Sequence, residues 1–138
     1  MVEDTSARVM RRLVDAINMH DLDGLVGCFA EDYVNETPVH PARGFIGREQ
    51  VRRNWTQIFA AVPDITIEAL QFVEHGDEVW GEWEMRGTRA DGVPHCMRGV
   101  IVFRIGADQI AAARFYLEPV DDSSADVDDT VRKLTGAS

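Results

Sequence analysis

The stretch Glu78 to Arg89, EVWGEWEMRGTR, decides how the chain folds, because bulky apolar residues or glycine alternate with other, mostly charged, side chains along it. Neighbouring strand residues point to opposite faces, so Val79, Gly81, Trp83, Met85 and Gly87 share one face and Trp80, Glu82, Glu84 and Arg86 the other. Only the first set suits a core. The same alternation continues downstream. His95, Met97, Gly99, Ile101 and Phe103 alternate with Cys96, Arg98, Val100, Val102 and Arg104, and then Ala113, Phe115 and Leu117 alternate with Arg114, Tyr116 and Glu118. In both segments the arginines mark the outward face. Glycine-bearing turns at His75-Gly76-Asp77, Ala90 to Pro94 and Gly106-Ala107-Asp108 join four such strands from Asp64 onward, which predicts an antiparallel meander.

Upstream, the hydrophobic period lengthens. Val9, Met10, Leu13, Val14 and Ile17 recur at helical spacing after Asp4, Thr5 and Ser6, residues able to cap free amides. Asp21 caps a shorter helix carrying Leu22, Leu25, Val26 and Phe29. Tyr33 to Thr37 is a brief strand closed by Pro38, and Pro38 to Gly47 is a loop. A third helix sets Val51, Trp55, Ile58, Phe59 and Val62 on one stripe and ends at Pro63. Three N-terminal helices on the concave face of a strongly curved antiparallel sheet make an α+β domain over residues 1–120. Residues 121–138 form an acidic tail rich in aspartate, with a short helix near Val131 to Leu134.

Composition narrows the function. The chain has 138 residues with 14 basic and 24 acidic side chains, a net charge of −10, which disfavours nucleic acid and anionic membranes as partners. No apolar stretch is long enough for a membrane span and the start is acidic, so a cytoplasmic location is expected. Cys28 and Cys96 lack C-x-x-C spacing and are expected as reduced thiols. His20, His40, His75 and His95 are scattered, with no ligand spacing, so neither metal nor other cofactor is expected.

Two readings of the interior stand beside each other. Helix three fills the hollow with Trp55 and Phe59 as a solid core, or glycines at Gly81, Gly87 and Gly99 leave space beside Trp83, Met85 and Phe103 for a small apolar ligand. The second reading fits the glycine pattern better. On the outer face, Trp80, Val100, Val102 and Tyr116 among charges of both signs suggest a homodimer, the alternative being a monomer that shields its own tryptophan.

Phe29-Ala30-Glu31-Asp32, the short strand ending at Pro38, Gly47-Arg48-Glu49-Gln50-Val51 and RGVIVFR at Arg98 to Arg104 together resemble the nuclear-transport-factor-2-like superfamily, and within it the SnoaL-like and ketosteroid isomerase-like branch. The resemblance implies a cone-shaped α+β barrel with a deep pocket, often a homodimer. Its catalytic positions are replaced here. The isomerase base falls at Thr37 and its oxyanion donors at Leu13 and Ile101. The charged relay of limonene epoxide hydrolases falls at Trp83, Met85 and Phe115, and the acid/base of SnoaL-like cyclases falls near Phe115. None of these apolar side chains can move a proton, and a threonine is no base at neutral pH. A one-residue bulge would instead turn Glu84 or Arg114 inward.

The remaining polar candidates are few. Tyr33, Asn35 and Thr37 alternate along the first strand and ring the predicted pocket mouth with His95, the inward group that titrates nearest neutrality. His40, in the loop, is a second acid/base candidate. Leu13, Trp55, Phe59, Trp83, Met85 and Met97 are expected to line the ligand site, together with Gly99, Ile101, Phe103, Phe115 and Leu117. The expected function is binding of an apolar steroid, polyketide, terpene or aromatic metabolite, with cofactor-free isomerisation, cyclisation or hydration as its chemistry. The alternative is a non-catalytic binding or dimeric assembly module that keeps the fold without the catalytic residues.

Overall fold

Asp4 starts the first helix as its spacing predicts: in the computed structural model, which describes residues 4–137, its carboxylate accepts from Ser6 N at 2.8 Å and Ala7 N at 3.2 Å. Helix α1, Thr5–Asn18, buries Val9, Met10, Leu13, Ala16 and Ile17. Helix α2, Leu22–Gly27, is capped by Asp21, whose carboxylate accepts from Gly24 N at 3.0 Å. Strand β1 runs Phe29–Glu36, beginning earlier than Tyr33. Its alternation is interrupted by a register shift between Phe29 and Val34, with Glu31 and Asp32 exposed, so no clean period of two marks its start.

The predicted loop after Pro38 contains a single 3-10 turn, Pro41–Arg43, and a two-residue strand β2, Phe45–Ile46, paired with β1. Gly47 then adopts φ 100, a conformation that favours glycine, and turns the chain into α3, Arg48–Ala61. The meander follows as β3 (Thr66–His75), β4 (Glu78–Thr88), β5 (Pro94–Gly106) and β6 (Gln109–Pro119). The strand order is β2-β1-β6-β5-β4-β3, so the sheet is open, with β2 and β3 as its edges. All pairs are antiparallel except β1–β6, a parallel pair that joins the first strand to the last.

Edge strand β3 is tied down by a side chain. Asn18, at the end of α1, donates Nδ2 to Ile67 O at 3.1 Å and accepts from Ile67 N at 2.7 Å, replacing the backbone partner that an edge lacks.

Face assignment in the meander agrees with the alternation. Val79, Trp83, Met85, Ile101, Phe103 and Ala113 are buried. Strands β4 and β5 pair without interruption from Glu78↔Arg104 to Thr88↔Pro94, and the β5–β6 register shifts only between Arg104 and Ile105. Glu84 and Arg114 therefore stay outward, and no bulge exchanges the faces.

The glycine expectation needs correction. At Gly81 a Cβ would come within 2.6 Å of the Phe72 ring, and at Gly87 within 2.4 Å of Val62 Cγ1, so protein side chains occupy that space. At Gly99 a Cβ would meet Tyr116 O at 2.1 Å, so this glycine admits the β6 backbone rather than a ligand.

Outside, Arg114 lies 5.7 Å from the Trp80 ring centroid and 3.5 Å from Glu78, while Val102 beneath them is buried. Trp80 and Tyr116 remain 44% and 38% exposed. Beyond Pro119 the acidic segment carries α4, Val127–Thr135, longer than expected because Asp126 and Asp129 form a reciprocal capping box. Its residues are exposed. Among the described residues no helix is long and apolar enough to cross a membrane.

Candidate functional site

Helix α3 lies over the sheet without filling it. Val51 is buried, but Trp55, Ile58 and Phe59 are only partly so, and a cavity of about 410 Å³ opens beside them. Leu13 of α1, Trp55 of α3 and Met85 of β4 line it, as do Met97, Ile101 and Phe103 of β5 and Phe115 and Leu117 of β6. Tyr33, Asn35, Thr37 and His95 contribute the polar positions named from the sequence. The walls thus come from both layers, the concave side of the sheet and the helices that cross it.

Three predicted liners lie elsewhere. Trp83 is fully buried between the rings of Phe72, 5.2 Å away, and Phe103, 5.9 Å away, so it supports the wall from behind. Phe59 stacks on His20 at 4.7 Å, and His20 in turn donates Nε2 to Ile65 O at 2.9 Å. Gly99 sits against β6, as described. His40 is also absent from the cavity wall: its Nε2 donates to Glu118 Oε1 at 2.7 Å, fastening the loop to the end of β6.

Tyr33 and Asn35 are more deeply placed than a pocket mouth would require. Tyr33 is fully buried and Asn35 is 9% exposed, and the phenol donates to Asn35 Oδ1 at 2.7 Å. Burial pushes the Tyr33 phenol far above its ordinary pKa, so it stays a neutral donor. Asn35 Nδ2 has no hydrogen-bond partner among the described residues, and Asn35 lines the cavity. His95 lines the same cavity at the start of β5, and its buried Nε2 likewise has no partner.

Sequence reading missed part of the wall. Ile17, Phe29, Phe45, Val51, Ile58 and Ile67 also line it. Ile17 follows Leu13 by one helical turn and Ile58 belongs to the stripe of Trp55, so spacing held a signal for both. Asn54 and Arg43 carried none, one lying beside that stripe and the other in a loop. Asn54 Oδ1 accepts from Gln50 Nε2 at 2.8 Å.

The lining holds no aspartate or glutamate. Leu13, Met85, Ile101 and Phe115 all stand in the cavity wall as apolar side chains. Among the described residues no group of three or more His, Cys, Asp or Glu is placed to hold a metal ion.

An open six-stranded sheet curved around helices, with a cavity between the layers, defines the nuclear-transport-factor-2-like class. The chain belongs to the SnoaL-like domain family, whose model matches residues 10–113. Among solved structures it is similar to IdmH, a candidate polyketide cyclase from Streptomyces antibioticus, at 24% identity over 84% of this chain and 93% of that one, with a TM-score of 0.72. It is similar also to a Mycobacterium tuberculosis protein in complex with estradiol-17beta-hemisuccinate, at 21% identity over 83% and 94% of the two chains, with a TM-score of 0.71. A nuclear-transport-factor-2-like protein of unknown function from Burkholderia pseudomallei covers 96% of this chain and 99% of its own at 16% identity, with a TM-score of 0.70. No curated protein matches the sequence.

Proposed function

We propose that the chain is a small-molecule pocket protein that takes an apolar steroid, polyketide, terpene or aromatic metabolite into the cavity between sheet and helices. The observation that carries this reading is a cavity of about 410 Å³ with mostly apolar walls and a few polar side chains, among them Asn35, Thr37 and His95. A volume of this order suits a molecule of several fused rings. The steroid conjugate held by the Mycobacterium tuberculosis neighbour supports the same ligand size.

In this reading the chemistry is cofactor-free proton transfer, serving isomerisation, cyclisation or hydration. His95 is the proposed acid/base, since it is the imidazole of the lining and its buried Nε2 is engaged by no group among the described residues. Asn35 Nδ2, its amide polarised by Tyr33, supplies the hydrogen bond that orients a ligand carbonyl. His40, paired with Glu118, is proposed to hold the loop in place. A cytoplasmic location belongs to the same proposal.

Titration with estradiol and with an aromatic polyketide, followed by turnover assays on the wild type and His95→Ala, tests both parts. Saturable binding abolished by Ile101→Trp, with activity lost in His95→Ala, is expected. Absence of binding sinks the pocket reading, and full turnover in His95→Ala dismisses the histidine.

A second reading, a non-catalytic binding or assembly module, is favoured by one specific observation: Leu13, Met85, Ile101 and Phe115, at positions where the resemblance implies catalytic groups, line the cavity with apolar side chains. It predicts binding without turnover for every ligand tried. Either way, homodimerisation through Trp80, Val100, Val102 and Tyr116 is proposed, with Trp80 and Tyr116 supplying most of the exposed apolar area because Val102 is already covered. Light scattering on Trp80→Glu, expected to read a monomer, checks it.

A further inference from the structure

Among the described residues Arg43 is the only formally charged side chain that lines the cavity, and no carboxylate accompanies it there. In a protein of net charge −10, several arginines are neutralised by acids: Arg8 meets Asp108, Arg52 meets Asp23, Arg114 meets Glu78, and Arg86 and Arg98 share Glu84. Arg43 has neither an ion pair nor a side-chain hydrogen bond among the described residues. The backbone turn that bears it is nevertheless held, although the residue itself is exposed. The 3-10 turn that bears it is closed by Arg43 N donating to His40 O at 2.9 Å and Gly44 N to Pro41 O at 3.2 Å. Two further contacts fasten the turn, His40 to Glu118 on one side and Gly44 against Asn35 O on the other, where a Cβ would stand only 3.1 Å away.

An unpaired guanidinium, exposed but carried on a fastened turn at the edge of a cavity with apolar walls, selects an amphipathic anion. The apolar body lies against Met85, Met97, Ile101 and Phe115, and a terminal anionic group meets the fork of Arg43. We infer that the cavity takes an apolar ring compound bearing a single carboxylate, which Arg43 binds. This deepens the reading of the cavity as a metabolite pocket and rests on it. The protein's negative charge repels anions at long range, so a bound carboxylate needs such a specific contact, and the lining offers one site for it.

The test compares 1-pyrenebutyrate with 1-pyrenebutanol, probes of nearly equal size that differ in the terminal charge, by fluorescence titration of the full chain. Wild type is expected to bind the acid roughly tenfold more tightly than the alcohol, the scale of one charge-assisted hydrogen bond at a partly solvated site. Arg43→Gln should bind both with the alcohol's affinity, while Arg104→Gln, a change on the exposed face of β5, should keep the preference. Equal affinity of the wild type for the two probes, or a preference that survives Arg43→Gln, overturns the inference while leaving the pocket intact, provided Ile101→Trp blocks the alcohol. If the wild type binds neither probe, both the inference and the pocket reading fall.

Discussion

His40 Nε2 and Glu118 Oε1 meet at 2.7 Å, joining residues 78 positions apart and closing the loop that carries Arg43 onto the end of β6. Glu118 follows Leu117, a cavity liner, so the contact sets the loop against the wall. Both side chains are partly exposed, and the pair contributes less than about 1 kcal/mol to global stability. Glu118→Ala should hardly move the denaturation midpoint yet accelerate dissociation of a bound fluorescent probe in stopped-flow displacement. Unchanged dissociation would show that the loop does not need the latch.

Tyr33 to Asn35 is a different kind of pair, buried on both sides. Tyr33→Phe removes the donor to Asn35 Oδ1 and leaves a buried acceptor unmatched, costing about 1–3 kcal/mol. Urea denaturation of the variant measures it. Tyr33→Phe with Asn35→Leu should recover part of that loss, because neither polar group then remains unpaired.

Asn18 should be worth more than its place at the end of a helix implies. Asn18→Ala strips two hydrogen bonds from Ile67 on the edge strand, and a loss of about 1–3 kcal/mol is expected. Amide exchange at Ile67 offers the residue-level check: its protection should fall more than that of β5.

Glu84 makes stability depend on pH. Its carboxylate accepts from Arg86 Nε and lies 2.9 Å from Arg98, and the Arg86 hydrogen bond, with both guanidiniums, holds its pKa below the ordinary 4.5. A carboxylate whose folded pKa is depressed adds stability above its unfolded pKa, and that stability is lost as pH falls through the folded value. Glu84→Gln should therefore be less stable than wild type at neutral pH and should converge with it as the pH drops below about 4.5. Denaturation midpoints across that range test the sign.

The β5–β6 turn carries avoidable strain. Ala107 and Asp108 adopt φ 49 and 65, a left-handed pair that suits asparagine and glycine better than alanine. Ala107→Asn is expected to stabilise by about 0.5–1 kcal/mol, read as a rise in melting temperature.

The meander was legible because Trp83, Met85, Ile101 and Phe103 alternate strictly with charged or outward residues, and a period of two leaves little choice of face. Strand β1 was harder to read, since its pairing with β6 is decided by tertiary contact and its register shifts after Phe29. Local pattern records nothing of that. For the candidate site, an inward direction was inferred well, as at Met85 and Ile101, but direction alone does not say what lies in front of a side chain. Trp83 and Met85 share a face, yet Phe72 covers the first and the cavity opens before the second. Arg43 escaped notice because its importance comes from the missing acid beside it, a property of three-dimensional surroundings.

The parallel pairing of β1 with β6 also sets when the cavity can exist. Tyr33 and Asn35 lie on the first strand, Phe115 and Leu117 on the last, and the wall between them is complete only when the two strands meet. Closing so long a segment of chain is slow relative to forming the helices and hairpins within it. A nascent chain lacking its final strand would leave the cavity's apolar walls open to other chains, so the cavity and its exposure to aggregation during synthesis would share one origin.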